Sequence, residues 1–380
     1  MSALRIAHVQ PMTLDLYGHD DRDYGTVVRY SVSNLAAAQA AQGDWPEVHL
    51  LASQRPLELE VEGVKACFHR AIEPPKRAGV NRRFARQFSV SMLRALRRGR
   101  YDVVHFHGTR QLHAMFAAVA WRCHRQALPM VAQDRGNRDV GRIETALQGY
   151  GLRRSRALMG ASEDTIERFA ALGFPRSMLH LVPNAIDPSI FRPGPPRERD
   201  NGSAGKLRLL YVSRLHEDKD PLTMADAVAR IAATGRPVAV TVCGAGPLRG
   251  PVAERLEGTG AEVTFHDHLP HVELVDLYRS SDALVLTSLR EGFNQSILEA
   301  MACGLPPVLT DIPGPRDSAG EAGTLVPVRD PEALAAAIVG LVDDPREYAR
   351  RRELALARAP QFTWDAVARQ VRAIYEEALS

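Results

Sequence analysis

Two carboxylates stand eight positions apart in the stretch Glu291-Gly292-Phe293-Asn294-Gln295-Ser296-Ile297-Leu298-Glu299-Ala300-Met301-Ala302-Cys303-Gly304. The apolar run before it, Ala283 to Thr287, reads as a buried parallel strand. After a loop the pattern turns to helical spacing, with Asn294 as the N-cap and Gly304 just past the last turn. A helix that begins directly after a parallel strand turns its N–H groups and positive dipole end to the carboxyl edge of the sheet, where phosphates bind. Eight residues of helical rise are roughly 12 Å, comparable to the reach from a hexose across a diphosphate to a ribose. Glu291 and Glu299 can therefore each hold a sugar while backbone amides hold the phosphates between them. Taken alone, the same pair reads equally as a loop carboxylate and a solvated helix position, so other residues must decide.

The cations come from a second strand end. Ser213-Arg214-Leu215-His216-Glu217-Asp218-Lys219 follows the apolar run Leu207 to Val212. Arg214 offers a planar fork and Lys219 a point charge. Aimed at a diphosphate, they neutralise charge that grows as a sugar–phosphate bond breaks. The next strand is followed by Cys243-Gly244-Ala245-Gly246-Pro247-Leu248-Arg249-Gly250. Its third glycine is displaced, Pro247 interrupts the helix start and no acid follows at the expected distance, so it is not a nicotinamide or flavin fingerprint.

These residues need a scaffold of alternating strands and helices, which the chain supplies twice. The first series places strands at Leu4–Val9, Val48–Ala52, Val103–Phe106, Met130–Gln133, Ala157–Gly160 and Leu179–Val182. A helix is expected from about Thr26 to Gln42, so Gly25 falls where a loop meets a helix N-terminus and lets backbone approach an anion. Residues 76–100 are Arg-rich, with Phe84, Phe88, Met92, Leu93 and Leu96 at near-helical spacing, and read as an amphipathic basic helix. A Pro, Gly and charge-rich stretch, Arg192 to Ser203, is a linker. The second series places strands at Leu207–Val212, Val238–Cys243, Val263–Phe265, Ala283–Thr287 and Pro307–Thr310, and Asp330-Pro331-Glu332 caps a helix running to about Val342. The expected division is residues 1–191, a linker at 192–205, and 206–362, with a final helix at 363–380 returning to the first domain.

The 380 residues suit two domains. Hydrophobic and charged contents of 45% and 24% are those of a globular protein, and a net charge of +3 gives no argument for nucleic acid. Cys67, Cys123, Cys243 and Cys303 lie far apart in apolar surroundings without metal-ligand spacing, which reads as reduced core thiols. No leader or membrane-length apolar run stands out, so a cytoplasmic location is expected, with membrane contact still open.

In this order and spacing the residues resemble a retaining family-4 glycosyltransferase of the GT-B fold. The similarity is carried by Ser162-Glu163, Pro183-Asn184-Ala185-Ile186-Asp187 with Phe191 and Pro193, Ser213-Arg214-Leu215 with Lys219, Gly244-Ala245-Gly246-Pro247, Glu273-Leu274 with Tyr278 and Asp282, and the Glu291 to Gly304 stretch. The resemblance implies an α/β protein of two Rossmann-like, doubly wound parallel-sheet domains facing a cleft. It implies that Arg214 and Lys219 bind the diphosphate and Glu299 the ribose hydroxyls, while Glu291 holds the donor hexose. Gly25, Gly292, Phe293 and Asn294 complete the donor site, and His107 reaches the donor sugar from the first domain. Unaided, His107 reads as a strand-end histidine with a structural partner. The chain departs from the family pattern at Gly25-Thr26, Ala185, Gln133-Asp134 and Pro313-Gly314.

The implied reaction transfers a hexosyl or amino-hexosyl unit from a nucleotide-diphosphate sugar, a UDP-sugar in first place, to a hydroxyl of a small-molecule or glycan acceptor. The implied chemistry is front-face substitution with retention, with no cofactor and no metal. Asp21 and Asp23 are an alternative metal pair. Asp20, Asp21, Asp23 and Asp134 are candidate acceptor residues; Asp20, Asp21 and Asp23 favour a cationic acceptor, whereas the basic helix favours a phosphorylated or lipid-linked one. A sugar-nucleotide epimerase and a pseudo-glycosyltransferase share the fold and stay open as alternatives.

Overall fold

A computed structural model describes residues 2–10, 31–52, 56–61, 63–72, 88–108, 113–134, 142–194 and 205–380. The chain divides into two compact units, Met1–Pro183 with Trp364–Ser380, and Asn184–Thr363.

The first unit is built on strands β1 (Arg5–Gln10), β2 (Trp45–Ala52), β3 (Leu57–Val61), β4 (Val64–Arg70), β5 (Val103–His107), β6 (Met130–Asp134), β7 (Ala157–Gly160) and β8 (Leu179–Leu181). They form one sheet in the order β3-β4-β2-β1-β5-β6-β7-β8. Only the β3–β4 pair is antiparallel among these neighbours. β5, β6 and β7 are buried along their whole length, which favours apolar residues, with His105, His107, Gln133 and Asp134 as buried polar exceptions. β3 and β4 were not expected. Glu58 and Glu60 alternate with Leu57 and Leu59 on this edge, so the segment has no apolar run to mark it. Around the sheet lie α1 (Ser31–Ala41), α2 (Val90–Arg98), α3 (His113–Arg125), α4 (Arg142–Leu152) and α5 (Glu163–Ala171). Ser89 and Ser162 cap α2 and α5 through their hydroxyls.

The second unit contains β9 (Leu207–Val212), β10 (Val238–Cys243), β11 (Glu262–His266), β12 (Ala283–Leu286), β13 (Pro307–Thr310) and β14 (Thr324–Val326), in the order β11-β10-β9-β12-β13-β14. Every pairing is parallel. Its helices are α6 (Pro221–Ala233), α7 (Arg249–Leu256), α8 (His271–Ser280), α9 (Gln295–Cys303), α10 (Pro313–Ala319), α11 (Pro331–Asp343) and α12 (Pro345–Arg358). From β9 the chain winds outward to β10 and β11, whereas from β12 it winds the opposite way. The loops after β9 and β12 therefore part at a topological switch point, where open α/β sheets bind ligands.

The final helix α13 (Trp364–Leu379) belongs to the first unit. Arg372 pairs with Asp44 and donates to the Ser2 carbonyl at 2.8 Å, and Gln370 donates to the Leu181 carbonyl at 2.6 Å. The boundary between units falls at residue 184 rather than 191. The reason is local: Ile186 N–H donates to the Phe362 carbonyl at 2.7 Å, Gln295 Nε2 to the Ala185 carbonyl at 2.9 Å, and Phe191 lies against Tyr278. Arg192, expected in the linker, accepts two hydrogen bonds from Arg279 within the second unit. Residues 195–204 lie outside the described set, as do Arg82, Arg83 and Arg86 of the expected basic helix. All four cysteines are free and buried. Among the described residues no helix is long and apolar enough to cross a membrane.

Candidate active site

In the second unit, two loops at the switch point are bonded to each other backbone to backbone. After β9 a short 3-10 turn, Glu217–Lys219, ends at Asp220 in the left-handed region with φ 42°. The turn is pinned by the Tyr211 hydroxyl on the Lys219 carbonyl at 3.1 Å and by Thr287 Oγ1 on the Asp220 carbonyl at 2.7 Å. From the loop after β12, the Leu289 N–H donates to the Asp218 carbonyl at 2.9 Å. A left-handed non-glycine costs free energy and persists only where surrounding bonds hold it. Here they hold Lys219.

Lys219 Nζ lies 2.6 Å from Glu291 Oε2, with side-chain exposures of 9% and 15%. The same carboxylate oxygen accepts from Asn294 Nδ2 at 2.8 Å and Ser288 Oγ at 3.3 Å. Asn294 Oδ1 accepts from the Ser296 N–H at 2.8 Å, so one side chain both caps α9 and orients Glu291. Arg214 is 65% exposed and reaches Asp218 at 3.2 Å. Burial alone would raise Asp218, but Lys219 and Arg214 beside it hold its carboxyl below the ordinary range. The loop carrying Arg214 is fixed from the β10 side: Leu215 N–H donates to the Ala245 carbonyl at 3.0 Å, and a Cβ on Gly244 would stand 1.9 Å from the Ser213 carbonyl oxygen. Glycine is required there by contact rather than for a dinucleotide. Gly314 serves likewise, since a Cβ would stand 1.9 Å from the Gly292 oxygen.

Glu299 lies one helical face further on, 3% exposed, and accepts from the Tyr278 hydroxyl at 2.8 Å. Burial pushes its carboxyl up to about 7, against the opposing hydrogen bonds of Tyr278 and Gln295. At this burial it is not a solvated helix position. Phe293 is buried against Phe362, and its carbonyl accepts from Asn184 Nδ2 at 2.7 Å. The structure thus brings Lys219, Glu291, Asn294 and Gly292 together, with Arg214 on the adjoining loop. Tyr278 as the partner of Glu299, and Ser288 and Asp218 as partners of Glu291 and Arg214, were missed. The i,i+4 spacing of Arg214 and Asp218 was a usable signal; nothing in the spacing of Tyr278 and Glu299 was.

The first unit gathers a different set. His107 closes β5 at 3% exposure, with Nε2 at 3.0 Å from His8 Nδ1 and Nδ1 at 3.1 Å from Gln133 Oε1. His8 Nε2 meets Gln39 Oε1 at 2.7 Å, and His105 Nδ1 meets the Tyr375 hydroxyl at 2.7 Å. His105 and His107 stack with centroids 3.8 Å apart. The strand-end reading of His107 with structural partners describes this conformation. His8, His105 and His107 are the one group of potential metal-ligating side chains found among the described residues, with nitrogens within 4.8 Å of one another. Asp134, expected to face an acceptor, is buried and paired with Arg168 at 2.8 Å, because a carboxylate out of water needs a counter-charge. Gly25, Asp20, Asp21 and Asp23 lie outside the described residues.

Residues 28–190 match the model described as Glycosyltransferase Family 4, and residues 206–344 that described as Glycosyl transferases group 1. The chain is 29% identical over 311 residues to a D-inositol 3-phosphate glycosyltransferase of Thermobispora bispora, covering 74% of this chain and 72% of that protein. Among solved structures it is similar to the catalytic domain of Arabidopsis thaliana starch synthase IV bound to ADP and acarbose, with a TM-score of 0.72 at 14% identity over all of both chains. The Anabaena protein HepE in complex with UDP and glucose gives a TM-score of 0.68 at 16% identity, over 98% of this chain and 99% of that one.

Proposed function

Since the chain belongs to the family-4 glycosyltransferases and has the GT-B fold, we propose that it transfers a hexosyl or amino-hexosyl unit from a UDP-sugar to a hydroxyl, with retention and without a metal. The carrying observation is the Lys219–Glu291 pair at 2.6 Å on two mutually bonded loops of the switch point. Arg214 and Lys219 take the diphosphate, the positive end of α9 adds to them, and Glu299 accepts from the ribose hydroxyls. Glu291, fixed by Lys219, Asn294 and Ser288, holds the transferred sugar beside the breaking bond. No side chain needs to become covalently attached: the acceptor hydroxyl attacks on the face from which the phosphate leaves, and a phosphate oxygen takes its proton.

For the acceptor, the pairing of Asp134 with Arg168 removes one of the candidate acceptor residues. Several relatives are named for inositol 3-phosphate, which supports a small polyhydroxylated acceptor. The test is a mass-spectrometric screen of nucleotide sugars with and without a polyol panel. Release of nucleotide and free or transferred sugar is expected; an isomerised donor with no release would make the protein an epimerase instead.

A further inference from the structure

The exposed arginines of this protein fall into two groups. Some have a carboxylate beside them: Arg176 with Glu167, Arg316 with Asp311, Arg350 with Glu347. On α2 and α3 of the first unit they do not. Arg94, Arg97, Arg98 and Arg100 are exposed on α2 and just after it, and Arg125 is exposed in the last turn of α3. None of the five has an ion-pair partner among the described residues. Residues 88–100 and 113–128 contain no Asp or Glu, and the next acid, Asp102, accepts from the Arg5 N–H at 2.7 Å on β1.

The two helix ends are neighbours, since Gln126 Nε2 donates to the Arg97 carbonyl at 3.4 Å. Met92 and Leu96 are buried beneath α2, which turns its arginines outward. One turn before Arg125 on α3, Trp121 is 48% exposed, with the Arg122 guanidinium 5.4 Å from its ring centre. Uncompensated arginines on two neighbouring helix ends, together with an exposed indole, match an interface with both negative charge and an apolar layer just beneath it. Free polyanions supply the first but not the second.

We propose that this face docks the protein on an anionic phospholipid surface, Arg94, Arg97, Arg98, Arg100 and Arg125 meeting headgroup phosphates and Trp121 entering the interface. α2 leads into β5 and α3 leads out of it, so the C-terminal ends of both helices lie at the amino edge of the sheet. His107 closes the other edge. Docking therefore leaves the carboxyl edge of this unit open, and the inference stands independently of the reaction proposed above.

The test is co-sedimentation of the full chain with vesicles of phosphatidylcholine alone or containing phosphatidylglycerol, at low and high salt. Binding is expected only to the anionic vesicles and is expected to be lost as salt rises. Each arginine near such a surface is worth roughly fivefold in partition. The triple variant Arg94→Glu, Arg97→Glu, Arg98→Glu should lose about a hundredfold or more by the same measure, while the triple Lys variant at these positions keeps binding. If the triple Glu variant does not fold, as judged by circular dichroism, Arg125→Glu combined with Trp121→Ala carries the same test. Equal binding to neutral vesicles, or anionic binding unchanged by charge reversal, would overturn the proposal. So would tighter binding to single-stranded RNA than to anionic vesicles, which would make the face a nucleic-acid surface.

Discussion

The two units arrange polar groups at the switch points of similar sheets in opposite ways. The second unit keeps formal charges there and holds them in place with backbone: Lys219 and Glu291 pair at 2.6 Å on loops bonded to each other. The first unit keeps a buried set of ring nitrogens, amides and a phenol, in which His8, His105, His107, Gln39, Gln133 and Tyr375 are mutual partners. Fixed charges suit a site that must neutralise a diphosphate without reorganising. A mutually hydrogen-bonded set of rings and amides suits a surface that must fix side-chain orientation.

The largest effect should come from the cations. Arg214→Ala and Lys219→Ala are each expected to lower turnover by on the order of a hundredfold or more. They should part in stability. Arg214 is 65% exposed, so its loss should leave the unfolding temperature unchanged, whereas loss of Lys219 leaves Glu291 short of its counter-charge at 15% exposure and should cost about 1–3 kcal/mol. Equal melting of the two variants would mean that the buried pair is not what holds the loops.

Next come the carboxylates. Glu291→Gln should lower kcat with little change in UDP affinity, and Glu299→Gln should weaken UDP binding by about tenfold, the worth of a hydrogen bond to a charged group. Titration calorimetry separates them, and equal losses of UDP affinity would remove the assignment of one acid to the sugar and the other to the ribose.

These two acids were legible because chemistry and local structure coincide there. Asn294 and Gly304 mark the ends of α9 in sequence and cap it in space, and the strands Leu207–Val212, Val238–Cys243 and Pro307–Thr310 are bounded as their apolar runs are. What sequence could not show was tertiary pairing. Tyr278 and Glu299 sit on different helices, Arg168 reaches Asp134 from α5, and Tyr375 reaches His105 from the far end of the chain. Residues 184–191 were given to the first unit because the composition changes only at Arg192, yet their hydrogen bonds run to the second.

A smaller effect tests the other side of the comparison. Tyr375→Phe removes the hydroxyl shared by His105 and Gln39 and should cost about 1–3 kcal/mol of stability in the first unit. UDP affinity should not change. A loss of UDP affinity would mean that the network acts in donor binding and not only in orientation.

The smallest effect expected is on pH dependence. Glu299 is raised from 4.5 to about 7, so the folded state favours its protonated form. That contribution is fully present below about 4.5 and is lost as pH rises through about 7. The ligand-free protein should therefore lose stability across this window while UDP affinity rises, because under the proposed assignment the carboxylate accepts from the ribose hydroxyls. Tyr278→Phe should move the midpoint of UDP affinity upward, since it removes a hydrogen bond that favours the charged form. A midpoint unmoved by this change would separate Tyr278 from the site.

The central claim is that Arg214, Lys219 and the start of α9 neutralise the diphosphate, so that the sugar leaves and is attacked on one face. The measurement that meets it most directly is donor turnover in excess chelator, with the anomeric configuration of the product read by NMR as it forms. The account predicts an undiminished rate and a product with the configuration of the donor. Loss of turnover restored by magnesium or manganese, or an inverted product, would contradict it.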